Sequence, residues 1–353
     1  MWNVSYGWVM YILFAVAMAV FAWGMYRRIR SWCQGKQDRK RFTHWAKRVR
    51  LLVTATLLQK QVRRAMFPAI FHSLIFYSFA VLFLTTLTIM IQYDAAQLLR
   101  LDLRLFRGLV YVLFSVASEL AGILLLVGVA LAAYRRYVLK PESIPTTPAD
   151  GLVLLLLAGM IVTGYLTEGL RIAVNGDPWK MLSPVGWGIA ALFAGGSEAT
   201  GRAVHASFWW SHTVLALIWV AMIPYTKLVH LFLVPTNIFF SKLEPRAALG
   251  RPDLEKMMEA AASDADLKIG IQKADDFTWK QRLDLDTCLS CSRCEEICPA
   301  HMAHEGEFTP RQLITRLKAS VDGVNGHKPA QLKDIVGNSF DQEFIWQCRT
   351  CTA

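Results

Sequence analysis

The first two-thirds of the chain consists of long apolar stretches separated by shorter polar segments. Each long stretch has twenty or more residues, enough for a helix to cross about 30 Å of hydrocarbon. The pattern predicts five membrane-spanning helices, at about residues 5–27, 66–92, 108–134, 150–172 and 206–234. A further apolar run, Ser183–Gly195, is too short for a clear crossing. We interpret it as an interfacial or re-entrant piece, although a sixth crossing would invert the tail.

Beyond Pro235 the chain becomes polar, and this change predicts three segments along an all-α membrane protein. Residues 1–235 are predicted to form the membrane domain and residues 236–278 a charged cytoplasmic linker. Residues 279–353 carry most of the cysteines and are predicted to fold as a separate, helical domain.

The net charge of +11 is concentrated in a few loops rather than spread along the chain. Lys and Arg are dense in Arg27–Arg64, between the first two predicted helices, and Arg135, Arg136 and Lys140 follow the third. Cytoplasmic loops of membrane proteins carry such an excess of positive residues. The bias therefore predicts an N-terminus outside the inner membrane and a cytoplasmic tail. Nucleic acid is excluded as a partner, because no recognition motif accompanies the charge. A cleaved signal peptide is not predicted either, since the first span is too long and its positive charges follow it.

Six of the seven cysteines lie near the end of the chain, which favours metal ligands over disulfides at a cytoplasmic face. The first four have the spacing C-x2-C-x2-C-x3-C-P, which is typical of [4Fe–4S] ferredoxins. They are Cys288, Cys291, Cys294 and Cys298. A zinc site is the alternative, but it would need paired C-x2-C knuckles instead of three equally spaced cysteines.

Cys348 and Cys351 begin a second cysteine run, and the sequence stops two residues later. Two cysteines do not complete a ferredoxin motif, so we expect the chain to end inside its second cluster motif. Two clusters are then expected in the full-length protein, with ligands shared between the motifs. The long, helical separation between the two runs favours an α-helical ferredoxin module.

Histidines in membrane helices are costly and therefore suggest function. Four are candidates: His72, His205, His212 and His230. Because His212 and His230 are 18 residues apart, a continuous helix would place both on one face, about 27 Å apart. Depth matching then favours His72 with His230 as the two ligands of an inner b-type haem. His212 has no matching histidine on the second helix, so it serves either an outer haem with another ligand, such as His205, or a quinone site. Hydrogen bonding within the bundle is the alternative for all four.

Three further polar residues fall within predicted membrane helices. Glu168 and Arg171, at i and i+3 near the outer end of the fourth helix, could serve quinone protons or a haem propionate, but an interfacial ion pair is the favoured interpretation. Glu119, in the third helix, is another possible proton relay. These residues also leave open a transporter, and a structural anchor for a partner reductase remains a third possibility.

These residues together resemble a known group of proteins. The membrane part resembles the cytochrome b subunit of respiratory nitrate reductases, in which the fifth helix has the same 18-residue histidine spacing. Five stretches closely resemble membrane-bound, heterodisulfide-reductase-related iron–sulfur proteins, in which such a cytochrome b is fused to a ferredoxin domain. They are HSLIFYSF (72–79), TGYLTEGLRIA (163–173), WWSHTVLALIWVAMIPYTKLVHLF (209–232), FTWKQRLDLDTCLSCSRCEEICPA (277–300) and WQCRTC (346–351).

The resemblance implies a five-helix haem b bundle followed by a helical two-cluster ferredoxin-like domain, truncated in this sequence. It also implies electron exchange between a cytoplasmic redox partner and membrane menaquinone, and some members are electron-transfer-flavoprotein:quinone oxidoreductases. The sequence departs from the pattern in two ways. The outer histidine of the second helix is missing, which leaves one haem predicted and a second open. The cysteine-rich CCG domains of the group are also absent.

Overall fold

The computed structural model describes residues 3–59, 62–95, 99–100, 106–142, 144–244, 254–262, 270–303, 307–322, 335–337 and 339–348. These residues form helices and connecting turns, and the extended pairing that they contain is limited to two isolated bridges. In chain order the helices are α1 Trp8–Cys33, α2 Trp45–Leu58, α3 Met66–Met90, α4 Gly108–Ala133, α5 Pro148–Asn175, α6 Pro184–Leu192, α7 Glu198–Met222, α8 His230–Phe239, α9 Leu254–Ala262, α10 Trp279–Asp286, α11 Pro299–Met302, α12 Pro310–Asp322 and α13 Gln342–Trp346. The predicted all-α fold class is therefore confirmed.

Five helical stretches of the described chain are long and apolar enough to cross a membrane, as predicted. They are Trp8–Cys33, Met66–Asp94, Gly108–Leu139, Pro148–Asn175 and Glu198–Tyr225. Large apolar side chains along them remain exposed, as expected of helices that face lipid. The chain is a multi-pass membrane protein.

The short apolar run after the fourth span forms α6, which has nine residues. At 1.5 Å per residue it is about 14 Å long, far too short to cross the hydrocarbon layer. It begins with Pro184, a residue whose missing N–H and fixed φ suit the first helical position. Its prediction as a non-spanning piece is confirmed, and it packs against α5.

The fifth span differs from its prediction as one continuous helix. α7 ends at Met222, and one turn of 3-10 helix follows at Ile223–Tyr225. Thr226 is extended, and α8 begins at His230. Pro224 explains the break, because proline removes a backbone donor and clashes with the preceding turn. The common face and the separation of about 27 Å expected for His212 and His230 assume an unbroken helix, so they stay a prediction from the sequence.

The chain divides into two compact units that are each discontinuous in sequence. The first unit comprises Met1–Ala22, Lys60–Pro141 and Thr146–Leu228, and the second comprises Trp23–Gln59, Glu142–Pro145 and Val229–Ala353. The linear division at residues 235 and 278 stays a prediction from the sequence.

Close helix packing builds the first unit. α3 packs on α4, and α5 packs on both α6 and α7. Gly128 shows how near α3 and α4 approach, because a Cβ there would lie 2.9 Å from the Ile75 side chain. Small residues at such crossings are typical of membrane bundles.

The described residues of the second unit contribute to two hydrophobic cores. The larger is made by side chains that surround the cysteine region: Ala274, Phe277, Leu285, Cys298, Ala300, Phe308, Val321, Ile335, Phe340 and Phe344. The smaller joins α8 to α10 through Val229, Leu233 and Leu283, with Met25, Trp32 and Trp279 packed against them.

Candidate functional site

The first cysteine run lies in a loop between α10 and α11. Thr278 caps α10 by accepting a hydrogen bond from the Gln281 backbone N–H. After α10, Ser290 and Ser292 adopt left-handed backbone conformations, with φ of 52° and 61°. Positive φ is uncommon for non-glycine residues, so these two positions turn the chain sharply between successive cysteines. The loop ends where Pro299 begins α11.

The structure gives the predicted cysteine ligands different surroundings. Cys298 is buried in the larger core of the second unit, and Cys348 packs against the same core. The first and second runs therefore meet at one hydrophobic cluster, although they are fifty residues apart in sequence. Cys291 and Cys294 are exposed and Cys288 is half-buried. Cys351 lies outside the described residues.

The chemistry of these thiols suits a metal cluster. None of the six described cysteines forms a disulfide. Cys294 is exposed as a residue, but partial desolvation of its sulfur and the nearby charges of Cys291 and Glu295 raise the pKa of its thiol, an electrostatic load that bound iron would offset. Within the described chain, no three His, Cys, Asp or Glu side chains lie close enough together to hold a single metal ion. A four-iron cluster needs its thiolates around one cube, each bound to a different iron, so its ligands lie further apart than those of a single ion. The donor set is compatible with an iron–sulfur cluster.

The cysteine loop is attached to α8 through α10. Leu283 of α10 is fully buried against Val229 and Leu233, on either side of His230. Polar contacts extend this interface, since the Asn237 amide donates to Asp284 and to the Thr287 hydroxyl. His230, the first residue of α8, thus belongs to a helix that packs directly on the element leading to Cys288.

Asp286, at the end of α10, is a polar centre that sequence reasoning missed. Its carboxylate accepts from Arg28 and Lys318, both at 2.6 Å, and from the Trp32 indole at 3.1 Å. Burial alone would raise the pKa of Asp286, but the charges and hydrogen bonds of Lys318 and Arg28 outweigh it and lower the pKa. The carboxylate therefore links α1, α10 and α12 within the second unit.

The histidines of the first unit are held by local contacts. The His212 ring approaches the Met160 carbonyl of α5 at 3.0 Å and the Thr163 hydroxyl at 3.2 Å. His205 is buried, and its ring lies 3.4 Å from the Asn3 amide. His72 is on α3, in the first unit, whereas His230 belongs to the second. The haem pair that they are predicted to form stays a prediction from the sequence.

The acidic residues of the membrane helices meet at the start of α6. Glu119 of α4 is 4% exposed, and its Oε1 accepts a hydrogen bond from the Val185 backbone N–H. The Tyr165 hydroxyl donates to the Glu119 backbone carbonyl at 2.6 Å. The Glu168 carboxyl faces Glu119 and the Ser183 hydroxyl.

The expected Glu168–Arg171 ion pair is not the one that forms. Arg171 donates to Asp177 at 3.0 Å, and Tyr111 also donates to this carboxylate. The helix ends at Asn175 and Gly176 takes a positive φ of 67°, so the chain turns back and brings Asp177 to Arg171. Glu168 therefore lies beside Glu119 and Ser183, while Arg171 forms its ion pair with Asp177 and remains a nearby charge.

Comparison with known proteins agrees with this architecture. Residues 103–244 match the family described as nitrate reductase gamma subunit. The chain is 29% identical to the EtfAB:quinone oxidoreductase of Syntrophomonas wolfei, over 99% of this chain and 52% of that protein. It is 26% identical to the probable iron–sulfur-binding oxidoreductase FadF of Bacillus subtilis, over 83% and 45%. It is also 23% identical to a component of the dihydromethanophenazine:CoB–CoM heterodisulfide reductase of Methanosarcina thermophila, over 66% and 91%.

The chain spans about half the length of the first two of these relatives. Their names describe oxidoreductases, and the matched regions include both the membrane helices and the cysteine loop in the most extensive comparison. The resemblance inferred from the motifs is confirmed: this chain is similar to membrane-bound iron–sulfur oxidoreductases, and its membrane part is similar to the nitrate reductase gamma subunit.

Proposed function

We propose that this membrane-bound oxidoreductase carries electrons between a cytoplasmic redox protein and menaquinone. The observation that carries the proposal is the packing of α8 on α10 within the second unit. This interface connects His230, the predicted inner haem ligand, to the loop of predicted cluster ligands. Electron transfer between a haem and a cluster requires the two centres to be close, and this packing supports the proposal because His230 and the cysteine loop belong to one compact unit.

The cofactors in this proposal are [4Fe–4S] clusters and haem b, which supply one-electron chemistry when bound. The cluster ligands are Cys288, Cys291, Cys294, Cys298, Cys348 and Cys351. His72 and His230 are the proposed haem ligands, while His212 and His205 serve a second haem or a quinone site. The orientation that suits this path has the N-terminus outside and the second unit in the cytoplasm.

Electron-transfer flavoprotein is the candidate soluble partner, because a similar protein is named EtfAB:quinone oxidoreductase. A second candidate function is thiol/disulfide electron transfer, favoured by the similarity to a heterodisulfide reductase component. A non-catalytic membrane anchor is the third, in which the cofactors would be dispensable.

A reduced-minus-oxidised absorption spectrum of the purified full-length protein tests the haem assignment. We expect a b-type α-band that is lost in both His72→Ala and His230→Ala. His44→Asn is the matched control, because His44 is exposed in a loop at a φ of 58° that asparagine tolerates. Absence of the band in the wild type would remove the haem from the proposal.

The iron and acid-labile sulfide contents of the purified protein test the cluster assignment. The kinetics of cofactor reduction and reoxidation distinguish the candidate functions. Reduced electron-transfer flavoprotein should reduce the cofactors, and a water-soluble naphthoquinone should reoxidise them. A heterodisulfide as the sole effective oxidant would favour the second function. Unchanged partner activity after loss of all cofactors would favour the anchor. Iron and sulfide near zero in the intact protein would contradict the cluster assignment.

A further inference from the structure

A buried carboxyl group in the first unit is only half satisfied. Oε1 of Glu119 accepts the Val185 N–H at the start of α6, a favourable position for negative charge. Oε2 is also buried, yet it receives no hydrogen bond from any described donor. A buried oxygen without a donor is costly, and here it points to chemistry beyond the capping of α6.

A second carboxyl group lies beside Glu119. Glu168 of α5 lies within hydrogen-bonding reach of Glu119 and of the Ser183 hydroxyl. Gly186 leaves room for it, because a Cβ there would come 3.2 Å from the Glu168 Cδ and Cγ atoms. Both carboxyl groups therefore lie at the first turn of α6, where the Val185 N–H binds Glu119.

Two ionised carboxylates in contact inside a membrane bundle repel each other strongly, because little water screens them. A single proton between them removes the repulsion and gives the orphaned Oε2 a hydrogen bond. We propose that Glu119 and Glu168 share one proton and exchange it with bound quinone. This inference rests on the proposed function and assigns the proton-transferring groups of its quinone site.

The proton and electron balance is simple. Quinone becomes quinol by taking two electrons and two protons. In each of two one-electron steps, the redox centres of the proposed function supply the electron and the carboxyl pair supplies the proton to a quinone oxygen. The pair regains a proton from water between the steps, and quinol oxidation runs the same sequence in reverse.

The carboxyl pair is not fully enclosed. Glu168 is only partly buried, whereas Glu119 is buried, so the Glu168 side is the route by which the shared proton would exchange. Arg171, one turn further along α5, is 36% exposed and is engaged by Asp177. Tyr165 donates to the Glu119 carbonyl, and the Ser183 hydroxyl pairs with that of Ser115. Tyr111 donates to Asp177, and His205 lies near Arg171.

Infrared spectroscopy of the full-length protein in nanodiscs tests the shared proton directly. At neutral pH the wild type should show the carbonyl stretch of a protonated carboxyl group that shifts in D2O. The stretch should disappear in Glu119→Gln/Glu168→Gln and remain in Glu198→Gln. Glu198 is an exposed partner of Arg202 in the same unit and so controls for charge removal. A wild-type spectrum without this stretch would overturn the proposal.

Quinone kinetics test the transfer. Glutamine keeps the acceptor for Val185 but has no transferable proton, so reoxidation by a water-soluble naphthoquinone should slow by about 10²-fold in each single variant. Glu168→Gln leaves the contact between Glu119 and Val185 intact. It therefore tests the proton transfer even if Glu119→Gln fails to assemble. Chemical reduction of the cofactors should be unchanged. Wild-type rates in Glu168→Gln would refute the proton role. A wild type that does not react with quinone would instead refute the proposed function, while the infrared result stands separately.

Discussion

Replacing Asp286 by asparagine removes the charge from a centre that holds three helices of the second unit together. The carboxylate is 8% exposed and carries hydrogen bonds from Arg28, Lys318 and Trp32. Asparagine has almost the same volume and keeps one oxygen acceptor. The substitution therefore removes charge and one acceptor without opening a cavity.

The expected cost follows from what each partner loses. A hydrogen bond to a charged group contributes about 1.5–3 kcal/mol, and two cations are affected. Arg28 and Lys318 keep side-chain exposures of 24% and 34%, however, so water partly replaces the lost carboxylate. We therefore expect Asp286→Asn to destabilise the contact between α10 and α12 by about 2 kcal/mol, near the low end of the range for one bond. This corresponds to about a 30-fold increase in local opening.

Hydrogen exchange of the α12 amides, followed by mass spectrometry of the protein in nanodiscs, measures this opening. The matched control is Asp275→Asn, because Asp275 is 63% exposed and lies 3.8 Å from Arg282. The control should stay within about 0.5 kcal/mol of the wild type. Equal exchange in wild type and Asp286→Asn, or an equally large effect of Asp275→Asn, would refute this reasoning.

The lowered pKa of Asp286 also fixes the sign of the pH dependence. A carboxylate whose pKa is depressed in the folded state stabilises the protein above its unfolded pKa of about 3.9. That contribution is lost as the pH falls through the folded value. The difference between wild type and Asp286→Asn should therefore be constant near neutrality and vanish in strong acid. A difference that grows in acid would contradict the assignment.

Three other substitutions probe the same unit, each read from its thermal melting. Arg48 is 2% exposed and donates to backbone carbonyls that include Phe239 at the end of α8. Arg48→Met should therefore lower the stability by about 3 kcal/mol. An unchanged melting temperature would show that Arg48 does not cap α8. A Cβ at Gly35 would clash with the Trp279 backbone nitrogen, so Gly35→Ala should cost about 1–3 kcal/mol while Gly188→Ala, in open space, should not. Thr278→Ala should cost about 1 kcal/mol through the lost α10 cap, and Thr278→Ser should restore it.

Hydropathy alone predicted the number of spanning helices because the lipid constraint acts on composition. Backbone N–H and C=O groups in hydrocarbon must form hydrogen bonds within their own segment, so a long apolar stretch that crosses the membrane forms a helix. The same argument failed for the end of the fifth span. Pro224 sits inside an apolar run, and its effect depends on whether neighbouring groups satisfy the freed carbonyls. The Pro-Tyr-Thr sequence at residues 224–226 was the available signal, since Thr226 is where the chain becomes extended.

The cost of burying acids in a membrane draws attention to Glu119 and Glu168, and their functional role stays a prediction. The partner expected for Glu168 differs from the one observed. Helical spacing compares residues on one continuous helix, and it therefore paired Glu168 with Arg171. The real partner of Arg171 lies beyond the helix end, after the turn at Gly176. The meeting of Glu168 with Glu119 depends on α6 folding back against α5, a tertiary event that no local pattern records.

The basic segment after the first span contains arginines that can have two roles, one in membrane orientation and one in the folded structure. In the sequence its arginines act together as one signal for membrane orientation, because orientation depends on the total positive charge of a loop. In the folded second unit they are not equivalent. Arg28 binds a carboxylate 258 positions away, and Arg48 is buried on backbone carbonyls, although neither differs from exposed neighbours in its local pattern. Both contacts tie the end of α1 and helix α2 to the elements around the cysteine loop. The same segment that is predicted to set topology thus also builds the support on which the proposed electron path rests, and Asp286→Asn separates these two roles because it leaves every positive charge in place.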